Sequence, residues 1–188
     1  MGTTRTPAAE RIFESASEMF YREGIRAVGV DAIAARAGVT KKTLYDKFGS
    51  KGELVAAYLR GRDERWRAWL VESVDRRGGP AKERLLSTFD ALGEWIGHGN
   101  TRGCGFVNAT VELREEDHPA RAVVMEQKRW MGGYLARLAA EAEVEDPDGL
   151  ADRLLILHEG VNVASSLGMP ANAAQKARQA AAALIADL

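Results

Sequence analysis

The stretch Gly38–Leu54, GVTKKTLYDKFGSKGEL, gathers four lysines, two threonines and a tyrosine in a chain whose net charge is −1. Ala34, Gly38, Val39 and Leu44, in and just before it, stand at the spacing a helix-turn-helix requires. Ala34 must be small because the following helix crosses close to it. Gly38 permits a left-handed turn that a β-carbon resists. Ile33, Val39 and Leu44 fill the wedge between the two helices. Such a pair places its second helix in the major groove of DNA. The first turn of that helix, Thr40, Lys41, Lys42 and Thr43, then faces the bases. Tyr45 and Lys47, with Lys51 at the start of the next helix, reach phosphates on the flanks. Phosphate contacts position a protein and make its affinity salt-dependent, whereas base-edge contacts supply sequence preference. Lysine donates to guanine and threonine offers its methyl to thymine. Lys41 and Lys42 are therefore the candidates for base reading, and Tyr45, Lys47 and Lys51 for anchoring. Taken alone, the spacing also fits a helical surface that merely carries lysines.

The wider composition suits such a reading. The chain has 188 residues, 46% hydrophobic and 28% charged, enough for one compact unit or a small module fused to a larger one. No run of about 18 apolar residues appears, so no membrane span is expected. The N-terminal MGTTRTPAAERIFESASEMF lacks the apolar centre of a signal peptide. The single cysteine, Cys104, excludes an internal disulfide and suits a reducing compartment. A soluble, cytoplasmic protein is expected. Residues 1–60 carry a net +3 and residues 61–188 a net −4. There is no P-loop, no dinucleotide glycine fingerprint and no metal-ligand cluster, and three histidines with one cysteine leave little for nucleophilic catalysis. No catalytic residues, cofactor or metal are expected. A helical protein whose basic helix meets an acidic partner remains a third alternative.

Apolar residues recur at helical rather than strand spacing throughout. Ile12, Ala16, Met19 and Phe20 stripe a first helix, ended by Gly24. A short second helix covers Val30–Ala37. Thr40 caps a third, running to about Phe48. Ser50 and Glu53 form a capping box for a fourth, reaching about Arg76 before Gly78, Gly79 and Pro80 break it. A fifth carries Leu85, Leu86, Phe89, Leu92, Trp95 and Ile96, and a sixth covers roughly Phe106–Arg114. Pro119 opens a long seventh and Pro147 an eighth, which Gly168 and Pro170 close. An alanine-rich ninth follows. The expected fold is all-α, with about nine helices.

The segment VDAIAARAGVTKKTLYDKFGSKGELV, Val30–Val55, resembles the N-terminal domain of the TetR (tetracycline-repressor-like) family of bacterial transcription regulators. The shared features are the Ile-Ala pair, Ala-Gly-Val-Thr, Thr-Leu-Tyr, an aromatic at Phe48, and Ser-Lys before the next helix. The first helix, with Phe20 and Gly24, extends the likeness to residues 6–60. Gly52 departs from it, since the family more often has a charged residue there. The resemblance implies a DNA-binding domain over 6–60 and a helical ligand-binding and dimerisation domain over 61–188. It further implies a dimer on a palindromic double-stranded operator, acting as a repressor and released by a small-molecule inducer.

The remaining residues offer candidates for both C-terminal tasks. Gly160, Ala164 and Gly168 recur every four residues on the eighth helix. Ala173, Ala177 and Ala181, with Leu184 beyond, give the ninth a smooth face, so that two helices from each chain could form a homodimer interface. Trp95, Phe106, Trp130 and Tyr134 could wall an apolar pocket, with Asn108, His158 and Asn162 as its polar groups, favouring an apolar or aromatic effector. Aromatic residues at helical spacing equally suit a plain core, and His158 suits a satisfied core histidine. The segment RGCGFVNATVEL…DHPAR, Arg102–Arg121, resembles one large group within the family. In it Cys104 lies near a helix start and Arg102, which favours a thiolate. A redox- or electrophile-sensing regulator acting through Cys104 is thus the alternative function. The fourth helix, which begins beside the DNA and carries Trp66 and Trp69 further on, is the expected lever between effector and DNA.

Overall fold

The computed structural model describes residues 5–113 and 115–186, which form nine α-helices and no strand. They are α1 (Pro7–Glu23), α2 (Val30–Arg36), α3 (Lys41–Phe48), α4 (Lys51–Arg77), α5 (Ala81–Gly97), α6 (Gly105–Glu112), α7 (Pro119–Glu141), α8 (Pro147–Leu167) and α9 (Ala173–Ala186). No helix among the described residues is long and apolar enough to cross a membrane. The sixth helix was expected to run to Arg114, which lies outside the described residues.

The chain groups into two compact units. The described residues up to Asp63 join Gly105–Met125, and Glu64–Cys104 joins the described residues from Glu126 onward. Gly105–Met125 groups with the N-terminal residues and not with its neighbours in sequence. The reason is local. The position of a β-carbon on Gly105 would lie 2.8 Å from Arg62 Nε and 3.3 Å from the Tyr58 hydroxyl, so α6 starts flush against α4.

In the first unit, Pro7 occupies the first turn of α1, and Ile12, Phe13, Ala16, Met19 and Phe20 are buried. The turn after α2 is closed by Val39 N–H donating to Ala34 O at 3.0 Å. Gly38 supplies the left-handed residue that this geometry needs, with φ +65°. Ile33 and Leu44 are fully buried and Ala34 nearly so. Arg11 of α1 donates from Nε to Ala37 O at 3.0 Å, fixing α1 to the end of α2. Thr40 caps α3 by accepting from Thr43 N–H at 3.1 Å, and Ser50 accepts from Glu53 N–H at 3.0 Å to start α4.

The second unit is built on Leu70, Phe89, Leu135, Leu138, Leu150 and Leu154, all fully buried. Asp146 caps α8 by accepting from Gly149 N–H at 3.0 Å, and Gly168 ends it in the left-handed region. α9 lies against α5 and α8, and this corrects the reading of its alanine face. Ala181 is fully buried in the chain's own core, Ala177 and Leu184 pack on that core, and Ala173 is half-buried. Ala181 is therefore not offered to a second copy. His158 is also internal. It is 3% exposed, its ring centroid lies 4.3 Å from that of Phe89, and its Nε2 is 2.9 Å from Thr88 Oγ1. Burial, with the Lys128 charge as a lesser cause, lowers its pKa from 6.5 to about 3.

Two outcomes are expected. Gly38→Ala meets no steric obstacle within 4 Å, but the left-handed backbone costs a β-carbon about 1 kcal/mol, readable as a lower urea midpoint with an unchanged slope. For His158, the unfolded chain binds a proton below about 6.5 that the folded chain refuses until about 3. The stability present above 6.5 is thus lost as pH falls through that window, by about 2 kcal/mol between pH 7 and pH 5. The variant His158→Gln should lose less over the same interval, and equal losses in urea titrations at the two pH values would contradict the assignment.

Candidate nucleic-acid interface

α3 is only eight residues long, so its orientation is set by what it buries. Leu44 points inward, fully buried, and Thr43 and Phe48 are half-buried. The opposite face therefore carries Lys41, Lys42, Tyr45, Asp46 and Lys47 into solvent. The anticipated DNA-facing residues on α3 and its cap are thus brought together on one exposed surface, with Thr43 at its edge. Tyr45, at 39% exposed, is a large hydrophobic side chain held outside the core, the placement expected of a group that packs on something else.

Two of the lysines on that surface are already engaged. Lys41 Nζ lies 3.0 Å from Asp31 Oδ2, and Lys42 Nζ 2.7 Å from Asp46 Oδ2. The hydrogen bond and then the charge of Asp31 raise the Lys41 pKa, so Lys41 is a full cation at neutral pH. Thr40 Oγ1 caps the helix and lies 2.9 Å from Thr43 Oγ1, which leaves the threonine hydroxyls occupied with each other. Lys51 differs from the other candidates. It is half-buried, its ammonium lies 6.0 Å from the Phe20 ring centroid, and burial lowers its pKa against the opposing charge of Glu112. It lines a cleft of about 330 Å³ with Arg26, Val55, Glu112 and His118. Gly52, the departure from the family pattern, belongs to the same cleft. A β-carbon there would lie 3.4 Å from His118 Nε2, so this chain fills with a ring the space that a longer residue 52 would use.

The candidate pocket residues fall in both units. Phe106 and Asn108 belong to the first, where Phe106 is buried and Asn108 exposed. In the second, Trp130 stacks on Tyr134 with centroids 5.3 Å apart, and the Arg67 guanidinium sits 4.7 Å above Trp130. Trp95 meets Trp66 edge-on at 5.5 Å. Asn162 donates to His158 O at 3.2 Å. Cys104 Sγ lies 3.5 Å from Lys128 Nζ, which also pairs with Glu159. Burial works against the Lys128 charge, but Cys104 and Glu159 outweigh it and raise its pKa. A cleft of about 510 Å³ lies elsewhere in this unit, lined by Asp90, Glu94, Gly168, Asn172 and Ala173 among others.

Two further features escaped the sequence reading. Gln127 Oε1 and Tyr134 Oη are buried without a hydrogen-bond partner, and Gln127 is only 4% exposed. The available signal was an amide within an otherwise apolar stripe of α7. On α8, Ile156, Val163 and Leu167 are 71%, 55% and 71% exposed. Gly160 is also exposed, with nothing within 4 Å of its open side. These four positions share one helical face, while Ala164, half-buried, flanks it.

Comparison with known proteins bears on the family and the fold. Residues 12–58 match the family described as bacterial regulatory proteins, tetR family, and residues 81–181 match the tetracyclin repressor-like C-terminal domain. The transcriptional activator FasR of Mycolicibacterium smegmatis is 35% identical over 97 residues, covering 50% of this chain and 44% of that protein. The repressor KstR2 of Mycobacterium tuberculosis is 39% identical over 87 residues, covering 46% of this chain and 43% of that protein. The chain thus spans less than half the length of either relative in these matches. The crystal structure of SCO4454, a TetR-family transcriptional regulator from Streptomyces coelicolor, superimposes with a TM-score of 0.88 at 28% identity, covering 96% of this chain and 95% of that one. With both family domains present in order along one all-helical chain, this protein belongs to the TetR family of DNA-binding transcriptional regulators.

Proposed function

We propose that the chain acts as a homodimeric repressor that reads a palindromic operator through α3 and is released by a small, predominantly apolar effector. The observation that carries this is the division of α3 into a face anchored by buried Leu44 and a face exposing Lys41, Lys42, Tyr45 and Lys47. In the free protein Asp31 and Asp46 hold Lys41 and Lys42. On DNA those lysines exchange carboxylate partners for guanine edges. Tyr45 and Lys47 take the flanking phosphates, and Thr40 with Thr43 present their methyl groups from the capped first turn. Lys51, half-buried, serves the start of α4 more than the phosphate row.

One recognition helix reads too few base pairs for selectivity, and a dimer reading two half-sites supplies it. The exposed apolar face of α8, with Ile156, Val163 and Leu167 beside the open Gly160, is the surface offered for that dimer. Small residues at Gly160, Ala164 and Gly168 let a second helix approach, and the outer edge of α9 can extend the contact. For the effector, the unpartnered Gln127 Oε1 supplies a hydrogen-bond acceptor, and the unpartnered hydroxyl of Tyr134, whose ring stacks on Trp130, supplies an O–H donor. That combination suits an apolar or aromatic molecule carrying one donor and one acceptor group. An effector that prefers one position of α4 shifts DNA affinity by its difference in affinity for the two states, and ~1–3 kcal/mol of coupling corresponds to about 5–150-fold.

Fluorescence anisotropy on DNA from upstream of the chain's own gene, against scrambled DNA at near-physiological salt, tests the reading. Selective binding is expected. The variant Lys42→Ala should cost about 1–3 kcal/mol on the preferred site and relax base preference, while Lys47→Ala should weaken all sequences alike and lower the salt slope by about one. Should Lys47→Ala alter base preference and Lys42→Ala leave it intact, the assigned roles are reversed. Val163→Glu is expected to shift the protein to a monomer in sedimentation and to abolish tight operator binding with the helical circular dichroism retained. A Val163→Glu protein that stays dimeric moves the interface elsewhere.

A further inference from the structure

Within the first unit, α6 is fastened at both ends, to α4 and to the turn between α1 and α2. α6 begins flush on α4, where Gly105 meets Arg62 and Tyr58. It ends at Glu112, whose Oε2 accepts from Arg26 N–H at 2.8 Å in the turn between α1 and α2. The same carboxylate occupies the space that a side chain on Gly24, the C-cap of α1, would enter, 3.2 Å from its β-carbon position. Its charge also opposes the effect of burial on Lys51, at the first position of α4. Six residues on, His118 accepts from Ala120 N–H at Nδ1, starting α7, and turns its Nε2 toward Gly52. Glu112 therefore addresses both the α1–α2 turn and the start of α4, the two points that flank the helix-turn-helix on either side. A backbone N–H in an exposed turn would otherwise bond water. Accepting it with a carboxylate makes the stronger, charge-assisted bond and fixes the turn's direction.

We infer that Glu112 is a positioning residue for DNA recognition, holding the α1–α2 turn and the start of α4 so that α3 is presented in one orientation. Its contribution acts through Arg26 N–H and Lys51 and requires no contact between Glu112 and DNA. Because Glu112 closes a helix whose other end rests on α4, a shift of α6 along its axis would be felt at the recognition helix.

The inference rests on selective DNA binding by this head. The wild-type protein's preference for a duplex obtained by in vitro site selection, over scrambled DNA, tests that reading before any variant is made. On the same duplex, Glu112→Ala is expected to lose about ten-fold in affinity, the scale of one charge-assisted hydrogen bond. Glu112→Gln keeps an acceptor oxygen at the same reach but loses the charge felt by Lys51, and should recover part of the loss. Hydrogen exchange of the peptide covering residues 24–28 should quicken in Glu112→Ala and stay near wild type in Glu112→Gln. If Glu112→Ala does not fold, Glu112→Asp, whose arm is one methylene too short, replaces it with the same expectations. Wild-type affinity in the Ala or Asp variant overturns the inference. So does an equal loss in the Gln and Ala variants, because a role that needs only the charge does not distinguish an amide from a methyl group.

Discussion

One turn carries the recognition helix. Val39 N–H reaches back to Ala34 O across a left-handed Gly38, and with that bond made α3 must cross α2 at close range. Ile33 and Leu44 are then excluded from water entirely. A helix of eight residues has little stability of its own, so this burial, together with the Thr40 cap, is what keeps α3 helical. The other placements follow. Since one side of α3 is committed to the interior, Lys41, Lys42, Tyr45 and Lys47 have only the outside left to them. The Arg11 bond to Ala37 O keeps α1 behind the pair.

The electrostatics of this surface are restrained. Asp31 and Asp46 neutralise two of the lysines that DNA would approach. These are exposed pairs, each worth little to folding, so their main effect is on binding. A carboxylate beside a lysine lowers the attraction to any polyanion but is displaced at small cost when a guanine edge is in register. Such pairing discriminates against random sequence more than it weakens the cognate site. It also suits a chain whose overall charge is close to zero.

Much of this was legible in the sequence because it is local. The Thr40 cap, the Ser50 cap, Pro147 in the first turn of α8, and the terminating Gly24 and Gly168 each act within four residues, and each appears where the sequence places it. What could not be read depends on partners far along the chain. Lys51 looks like any surface lysine until Glu112, sixty-one positions later, is set beside it. The alanines of α9 look alike from either side, and only the packing of α9 on α5 and α8 reveals that Ala181 faces inward. Ile156, Val163 and Leu167 are an ordinary apolar stripe by spacing, and their exposure becomes informative only once the core is seen to be complete without them. Aromatic spacing likewise does not distinguish a pocket wall from rings stacked on each other, which is how Trp130 and Tyr134 are found.

The indoles have an uneven distribution with a practical side. All four tryptophans of the chain, Trp66, Trp69, Trp95 and Trp130, belong to the second unit, and three of them form one cluster through Trp95. Trp69 is fixed there by donating its Nε1–H to Ala91 O at 3.0 Å. The DNA-binding head has none. Red-edge excitation therefore illuminates only the second unit, and its emission is a built-in optical probe of that half of the molecule. A dye placed on the DNA reports on the other half, so both can be followed in one cuvette without labelling the protein.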